Sequence, residues 1–343
     1  MKALLLTKYR SLEIAEVPTP SPGPDEVLVQ VAACGICGSD VHGYDGSSGR
    51  RIPPLVMGHE AAGTIAALGK NVKNFSAGDR VTFDSTVYCG SCNNCLRGDI
   101  NLCDNRQVLG VSCGDYRRAG AFADFVVIPA RIVYRLPDSL SFEEAAMLEA
   151  VSVALHAVSL DPVRPQDNAL VVGAGMIGLL IVQALHAAGC SHVYITDVDQ
   201  TRLNLAELAT GLLAGPLLIP QVMSITGGNG MDVVIEAVGI NATVSNAIDS
   251  VRKGGMVVLV GNVSPEVTLP LQKVVSRQIR LQGSCASAGE YPRAIELMSS
   301  EAIRVRPLIS AIAPLEEGPR WFERLYAREP NLMKVVLAPG KTS

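Results

Sequence analysis

The first 150 residues consist of short apolar segments that glycine and proline interrupt every few residues. In Val27–Ala33 apolar side chains recur at every second position, which is the pattern of a half-buried strand. Comparable segments predict strands at 3–7, 12–17, 63–68, 122–128 and 133–136. This part of the chain therefore predicts an irregular, turn-rich β-domain.

After residue 150 the pattern changes to continuous apolar runs that alternate with helical periodicity. Strands are predicted at 169–172, 193–196, 232–237, 256–261 and 278–282, and helices at 200–209 and 241–251. A strand that is apolar on both faces must be covered on both faces. Alternation of such strands with helices predicts an α/β fold with a doubly wound parallel sheet.

The last part of the chain predicts a helix at 291–299, a second helix at 316–326 and a final strand at 334–337. This segment is too short to form a core of its own, so we expect it to complete the first domain. The predicted domains are therefore 1–150, 151–288 and 289–343, the last belonging with the first.

Composition and charge narrow the class of protein. Hydrophobic residues make up 48% and charged residues 18% of the 343 residues, which indicates an ordered globular chain. The 29 Lys and Arg against 33 Asp and Glu give a net charge of -4, so neither nucleic acid nor an anionic membrane is an expected partner. The N-terminus lacks the features of a secretory signal, which favours a cytoplasmic location.

One stretch is long and apolar enough to suggest a membrane span. Residues 169–190 contain no charge over 22 positions. Gly173, Gly175 and Gly178 interrupt the stretch, however, and helical spacing begins only at Ile177. We interpret it as a buried strand, a turn and a helix of a globular domain.

Four of the nine cysteines lie within 15 residues, at Cys89, Cys92, Cys95 and Cys103. Two-residue spacers allow successive thiolates to converge on one ion, and four thiolates complete a tetrahedral zinc shell with no open position. Disulfides are disfavoured in a chain without a secretion signal, and an iron-sulfur cluster would use similar ligands. The spacing favours a structural zinc site.

A second potential metal site is dispersed along the sequence. Cys37 and the pair His59 and Glu60 lie in loops beside predicted strands, and Glu149 follows in a mostly apolar segment. Each of these residues alone could be an ordinary core or surface residue. Together they offer the three protein ligands of an open, catalytic zinc site.

A glycine-rich fingerprint follows the first strand of the second domain. The predicted cofactor-binding residues are Gly173, Gly175, Met176, Ile177, Gly178, Asp197 and Arg202. The glycines permit a tight turn and close approach of a pyrophosphate to a helix N-terminus, and Asp197 would accept hydrogen bonds from ribose hydroxyls. Asp197 and Asp199 would repel a 2'-phosphate whereas Arg202 would attract one, so NAD is favoured over NADP.

These motifs resemble those of the zinc-dependent medium-chain alcohol and polyol dehydrogenase family, over essentially the whole chain. The motifs most similar to those of sorbitol and galactitol-phosphate dehydrogenases are CGSDVH at 37–42, GHE at 58–60 and EAVSVALHA at 149–157. The resemblance implies a GroES-like catalytic domain, a Rossmann domain, one catalytic and one structural zinc per chain, and a homodimer or homotetramer.

The resemblance also implies roles for individual residues. Cys37 and His59 would bind catalytic zinc, with either Glu60 or Glu149 as the third ligand. Ser39 would be the relay hydroxyl at the substrate, and His42 the outer end of the relay. The implied reaction is hydride transfer from a small secondary alcohol or polyol to NAD, while L-threonine dehydrogenase and a non-catalytic NAD- and zinc-binding protein are the alternatives.

Three segments depart from the family pattern or lack an obvious role. Residues 283–288 lack the arginine that polyol dehydrogenases often place there. Residues 210–223 are rich in Leu, Gly and Pro and predict a shortened or rerouted β-α unit. Residues 112–118, which include Arg117 and Arg118, predict a solvated surface turn rather than a phosphate site.

Overall fold

A computed structural model describes residues 1–340 of the 343-residue chain. The chain divides into two compact units. The first comprises Met1–Glu149, Tyr291–Ser299 and the chain from Val305 onward, and the second comprises Ala150–Glu290 and Ser300–Arg304. In sequence order the described residues form these strands: β1 Lys2–Lys8, β2 Ser11–Glu16, β3 Glu26–Gly35, β4 Leu55–Val56, β5 Glu60–Leu68, β6 Arg80–Phe83, β7 Thr86–Val87, β8 Gln107–Val108, β9 Val111–Ser112, β10 Arg117–Arg118, β11 Phe125–Pro129, β12 Val133–Arg135, β13 Asn168–Val172, β14 His192–Asp197, β15 Thr210–Leu213, β16 Met231–Glu236, β17 Val251–Leu259, β18 Arg280–Gly283, β19 Ile309–Pro314 and β20 Lys334–Ala338.

The α-helices of the described chain are short, and the longest have twelve residues. In order they are α1 Gly38–Tyr44, α2 Asn93–Arg97, α3 Phe142–Ala145, α4 Leu148–Ser159, α5 Met176–Ala187, α6 Gln200–Leu203, α7 Leu218–Ile225, α8 Asn241–Ser250, α9 Leu271–Ser276, α10 Tyr291–Ser299 and α11 Gly318–Tyr326. Single turns of 3₁₀-helix lie at Ile100–Leu102, Ala130–Ile132, Arg306–Leu308 and Leu315–Glu317.

The first unit is built around a seven-stranded sheet with the order β12-β6-β5-β3-β20-β19, and β11 also pairs with β3. A three-stranded sheet with the order β2-β1-β4 belongs to the same unit. Alternate residues of β3 and β5 join an apolar core that includes Val29, Val31, Ile65, Phe122 and Phe322. This core fixes the strand ends from which the candidate site residues emerge.

The second unit contains a six-stranded sheet in which every pair of strands is parallel. Its order, β15-β14-β13-β16-β17-β18, changes direction between β13 and β16, the arrangement of a doubly wound dinucleotide-binding sheet. Four of the five residues of β13 are buried, as expected for a strand covered on both faces. The predicted α/β class, with a β-rich first part and a Rossmann sheet, is confirmed.

The uncharged stretch 169–190 forms most of β13, a turn and the twelve-residue helix α5. Among residues 1–340 no helix is long and apolar enough to span a membrane. The predicted helix at 200–209 is wrong in length, since α6 ends at Leu203. Leu205 and Leu208 remain 46% and 43% exposed, so no buried apolar stripe stabilises further turns of helix.

Residues 210–223 form a short but regularly placed unit, not a rerouted one. Strand β15 pairs in parallel with β14, and α7 follows it. Leu212, Leu218 and Val222 are buried in the core of the second unit. Their burial explains why this leucine-rich segment forms a strand and a helix beside β14 although its sequence departs from the pattern that is usual in the family.

The segment 112–118 forms the surface turn of a short β-hairpin, in which Val111–Ser112 pairs with Arg117–Arg118 and Gly114 and Asp115 are exposed. Arg117 Nε donates to Ser112 Oγ over 3.2 Å, and Arg118 Nη1 donates to Gln107 Oε1 over the same distance. Arg118 also lies 3.7 Å from a Glu26 oxygen. Both guanidinium groups thus have partners within the protein.

Candidate active site and metal centres

The four clustered cysteines lie in the segment between β7 and β8. Cys92 precedes α2, Cys95 lies within that helix, and the four sulfur atoms lie within 4.8 Å of one another. The Cys89 and Cys95 sulfurs are 4.0 Å apart, and the Cys92 and Cys103 sulfurs 3.9 Å. Sulfurs of a tetrahedral zinc shell with bonds of about 2.3 Å lie about 3.8 Å apart, so the group fits zinc.

The protonation of these thiols also points to a cation. Hydrogen bonds from the Ser91 and Cys92 backbone N–H groups lower the pKa of Cys89 to about 5. Burial and the adjacent Cys92 and Cys103 thiols raise the pKa of Cys95 to about 12. Four thiolates this close repel one another, so the group can ionise fully only around a positive ion.

A second group of side chains that could hold a metal ion, here termed the metal-ligating group, joins Cys37, His59 and Glu60, whose ligand atoms also lie within 4.8 Å of one another. Cys37 precedes helix α1, directly after β3, while His59 precedes β5 and Glu60 begins it. Because β3 and β5 are antiparallel partners, with Gly35 opposite Glu60, the end of one strand meets the start of the other. The donor set of sulfur, nitrogen and oxygen suits zinc and leaves a fourth position open.

Asp40 contacts both Cys37 and His59 of this group. It is fully buried, with Oδ1 3.1 Å from Arg51 Nη2 and 3.4 Å from His59 Nδ1. Its Oδ2 accepts the Cys37 backbone N–H over 3.2 Å. Burial opposes ionisation of Asp40, but His59, Arg51 and the Cys37 N–H outweigh it and lower its pKa to about 2. The carboxylate favours a proton on Nδ1 of His59 and so leaves Nε2 as the metal-binding atom.

Lys334, the first residue of β20, lies against Glu60. Its Nζ is 2.5 Å from Glu60 Oε2 and donates to the Ile36 carbonyl over 3.2 Å. The two side chains are 4% and 2% exposed. Burial lowers the pKa of Lys334, but the charge of Glu60 and then Cys37 outweigh it and raise that pKa to about 12. The lysine is therefore a cation in the interior beside the metal-ligating group.

Glu149, in the first turn of α4, is placed differently from Glu60. Its Oε1 accepts from Ser85 Oγ over 3.3 Å, and the residue is not among the three whose ligand atoms lie within 4.8 Å. Burial is the largest influence on its pKa and raises it, with a further contribution from Glu60. Of the two carboxylates left open by the sequence, Glu60 is the one that the fold brings into the group.

The two predicted relay residues share helix α1. Ser39 is exposed, and its Oγ lies 3.5 Å from His59 Nε2 and 3.4 Å from Arg51 Nη2. His42 follows one helical turn later and is also exposed. Ser39 thus adjoins the metal-ligating group, and His42 lies further along the same helix.

In the second unit the glycine-rich fingerprint forms the turn between β13 and α5. Gly173 has a φ of +106°, and a Cβ on Gly178 would lie 1.8 Å from the Gly173 carbonyl oxygen. Neither position accepts a side chain. Gly175 is the N-cap of α5, and Met176 and Ile177 begin that helix, so its free N–H groups form an anion site of the kind that pyrophosphate occupies.

Asp197 lies at the end of β14, beside this turn. Its two carboxylate oxygens accept the backbone N–H groups of Ala174, over 2.7 Å, and of Asp199, over 3.0 Å. Each oxygen retains a further lone pair for a hydroxyl group. Arg202 Nε lies 3.8 Å from a carboxylate oxygen of Asp199. The residue that could attract a 2'-phosphate is therefore partly neutralised by its neighbour.

Sequence analysis assigned no role to Asp40, Arg51 or Lys334. Asp40 lies within the CGSDVH motif, whose pattern predicts no role for it, and Lys334 is the first residue of the predicted strand 334–337. A signal existed for Lys334, because a charged residue heads the otherwise apolar run of β20, every residue of which is buried. Arg51 lies in a loop whose sequence carries no comparable signal.

Comparison with known proteins identifies the family. Residues 23–138 match the family described as alcohol dehydrogenase GroES-like domain, and residues 177–300 match the family described as zinc-binding dehydrogenase. Sorbitol dehydrogenase of Bacillus subtilis (strain 168) is 34% identical, covering 99% of this chain and 98% of its own. L-idonate 5-dehydrogenase of Vitis vinifera is 35% identical, covering 90% of this chain and 86% of its own. The chain belongs to the zinc-dependent medium-chain alcohol and polyol dehydrogenase family.

Solved structures agree with this assignment. Alcohol dehydrogenase TADH from Thermus sp. ATN1 has a TM-score of 0.92 and 30% identity, covering 99% of this chain and all of its own. A zinc-binding dehydrogenase from Sinorhizobium meliloti 1021 bound to NADP has a TM-score of 0.88 and 31% identity, covering 98% of this chain and 99% of its own. The Escherichia coli CFT073 enzyme rspB, complexed with NADH, has a TM-score of 0.91 and 28% identity, with the same coverage. The chain is thus an alcohol oxidoreductase, and two of the solved structures similar to it contain NADP and NADH.

Proposed function

We propose that this protein oxidises a secondary alcohol of a polyol or related sugar alcohol to the ketone and passes the hydride to NAD. The observation that carries the proposal is the group formed by Cys37, His59 and Glu60, with Ser39 Oγ 3.5 Å from the imidazole of His59. Three protein ligands with an open position characterise catalytic rather than structural zinc sites.

Cys37, His59 and Glu60 would hold the catalytic zinc, and Cys89, Cys92, Cys95 and Cys103 a structural one. Zinc at the first site, when bound, supplies a Lewis acid that lowers the pKa of an alcohol as it does that of water. Asp40 fixes the orientation of His59, and Arg51 fixes Asp40. Glu149, held by Ser85, lies outside the group of three, and burial raises the pKa of its carboxyl group.

Ser39 would receive the hydroxyl proton of the substrate, because its Oγ adjoins the metal-ligating group and the residue is open to solvent. A serine hydroxyl donates and accepts at once, so it can transmit a proton without holding a charge. His42, exposed on the next turn of α1, would release that proton to solvent. Substitution of His42 by Ala should slow turnover near neutral pH and leave the zinc content unchanged.

NAD is the proposed cofactor, bound at the glycine-rich turn with its ribose on Asp197. The support is the pair of carboxylates at the end of β14 and the engagement of Arg202 with Asp199. Asp197→Ala should weaken NAD binding and reduce the preference for NAD over NADP. Equilibrium titration of both cofactors measures this, and an unchanged preference would contradict the assignment of Asp197.

The substrate class is supported by the relatives, which include sorbitol and idonate dehydrogenases, and by the open metal-ligating group. We would measure NADH formation by the zinc-loaded protein with polyols, polyol phosphates, simple secondary alcohols and L-threonine. Turnover of a polyol class supports the proposal. Turnover of L-threonine alone would replace the polyol with an amino acid. No turnover despite NAD binding would contradict the proposed substrate class and leave either an unusual substrate or a non-catalytic protein.

We also propose that the protein is a homodimer or homotetramer, as the family resemblance implies. The molar mass from light scattering should then be two or four times the 36.2 kDa of one chain. A mass equal to one chain at micromolar concentration would exclude both.

A further inference from the structure

We propose that Lys334 is a positioning residue of the metal centre, which restricts Glu60 to binding the metal through a single oxygen. The inference rests on the proposed function, since it takes Glu60 as the third zinc ligand. Lys334 Nζ lies 2.5 Å from Glu60 Oε2, a charge-assisted contact that occupies this oxygen. The other oxygen, Oε1, is then the one that remains for the metal.

The strand register explains why the two side chains meet. Strand β3 lies between β5 and β20, with Gly35 opposite Glu60 on one side and opposite Val336 on the other. A Cβ on Gly35 would lie 2.4 Å from Glu60 Oε2 and 3.5 Å from Lys334 Cδ. The missing side chain of Gly35 is thus the space through which the carboxylate of one outer strand reaches the ammonium group of the other.

The lysine is held firmly in this position. Its Nζ has a second acceptor, the Ile36 carbonyl, and its side chain is only 4% exposed. Water therefore cannot replace it as the partner of Glu60 Oε2. A long, flexible side chain that is buried and bonded twice acts as a fixed donor, and the geometry of Glu60 follows from it.

The charges around the metal-ligating group indicate why binding of the metal through a single oxygen of Glu60 matters. Besides Glu60, the side chains of Cys37 and Glu149 lie near enough to Lys334 to act on its charge. A carboxylate that bound zinc through both oxygens would fill the open position and donate more negative charge to the ion. Zinc bound in that way would polarise an alcohol less. By occupying Glu60 Oε2, Lys334 would keep the fourth coordination position open and preserve the Lewis acidity of the ion.

Cobalt substitution tests the proposal through a readout other than turnover. Co²⁺ replaces zinc, and its visible bands weaken when its coordination number rises. The spectrum of the Cys37→Ser protein supplies the contribution of the four-cysteine site and is subtracted. In Lys334→Met, whose apolar side chain has a similar length, we expect weaker bands at the Cys37 site and slower loss of this cobalt to a chelator.

Two further variants guard against a folding defect. Gly35→Ala retains the lysine and its charge but places a methyl group against Glu60 Oε2, so it should change the spectrum in the same direction. In a Glu60→Gln background, which has a single ligand oxygen, Lys334→Met should change nothing. Lys2→Met, which removes a lysine paired with Glu316 over 2.8 Å at the surface of the same unit, is the matched control.

The outcomes separate the inference from the function on which it rests. A purely structural ion pair predicts a lower melting temperature with an unchanged cobalt spectrum in Lys334→Met, and this result would overturn the proposal. If the unsubstituted protein and Cys37→Ser give identical cobalt spectra, no metal binds at Cys37. The proposed function then fails together with the role of Lys334.

Discussion

The two metal-ligating groups of the first unit are assembled in opposite ways. Fifteen consecutive residues carry all four thiols of one group, between two short strands. The other group draws a thiol from the end of β3 and two ligands from the start of β5, and it is supported by Asp40, Arg51 and Lys334. The first needs only a short loop, whereas the second requires the whole sheet to be folded.

The two groups also differ in how charge is balanced. Among the four cysteines in the sequence lies an exposed ion pair, Arg97 with Asp99, whose side chains are 64% and 49% exposed. Asp40, Arg51, Glu60 and Lys334 are each at most 5% exposed and form two buried ion pairs. A closed shell of four thiolates keeps a net negative charge around Zn²⁺, which backbone N–H groups such as those of Ser91 and Cys92 offset, while an open site needs surroundings that hold its ligands when the fourth position is exchanged.

The largest expected difference between the groups is in activity. Cys37→Ser should reduce kcat/KM at least 1000-fold, about 4 kcal/mol of transition-state stabilisation, because the open site loses its thiolate. The circular dichroism spectrum should not change. Retained turnover in NADH formation, with one zinc lost per chain, would show that Cys37 does not hold the catalytic ion.

Next in size is the effect of removing a buried charge from the network beside the open site. Asp40→Ala leaves the Arg51 guanidinium, 5% exposed, without its carboxylate, and should lower the free energy of unfolding by about 3–5 kcal/mol. Asp99→Ala, which breaks the exposed pair near the four cysteines, should cost about 0–1 kcal/mol. Urea unfolding measures the loss of free energy of unfolding in both variants. Equal losses would contradict the difference that we expect between the buried and the exposed ion pair.

Loss of one thiol from the closed group should affect stability rather than chemistry. Cys103→Ser should release one zinc per chain and lower the free energy of unfolding by about 3 kcal/mol, the upper end of the usual range for single substitutions. kcat should stay within a factor of about two at temperatures where the variant is folded. Unchanged stability after metal loss would show that the closed group is not structural.

The smallest expected effect is the loss of stability at low pH when Asp40 becomes protonated. Asp40 has a pKa of about 2 in the folded protein, against 3.8 when unperturbed, so its contribution is present above pH 3.8 and lost as the pH falls through 2. The contribution is about 2 kcal/mol for a shift of this size. Unfolding of the metal-free protein at pH 5 and at pH 2 should show this loss, and Asp40→Asn should lack it. Equal losses in both proteins would exclude Asp40 as the source.

Sequence patterns predicted the regular elements because each depends on a local period. The helix predicted at 291–299 has the bounds of α10, and the five apolar runs of the second unit correspond to β13, β14, β16, β17 and β18. Two-residue strands such as β4 are too short to show a period, and pairing with Leu5 and Leu6 alone defines β4. Helix α6 was predicted too long because its later leucines found no core.

The candidate sites show the same division. Spacing alone located the four cysteines, and their sulfurs lie together. Sequence motifs indicated Cys37 and His59 as metal ligands and offered both Glu60 and Glu149 as the third. They could not distinguish between these two carboxylates, since the position of Glu60 depends on the register of β3 and β5. The contact between Lys334 and Glu60 joins residues 274 positions apart and follows from the pairing of two strands with β3. No local pattern in the sequence contains that information.

The segment with the four cysteines leaves and re-enters the fold at one place. Thr86 pairs with Val108, and Val87 with Gln107, so the two ends of the excursion are neighbours. An in-frame deletion of residues 88–106, closed by a two-residue turn, would rejoin the chain without moving any strand of the main sheet. The zinc lobe is therefore a cassette that evolution or an engineer could remove or replace as a single genetic unit.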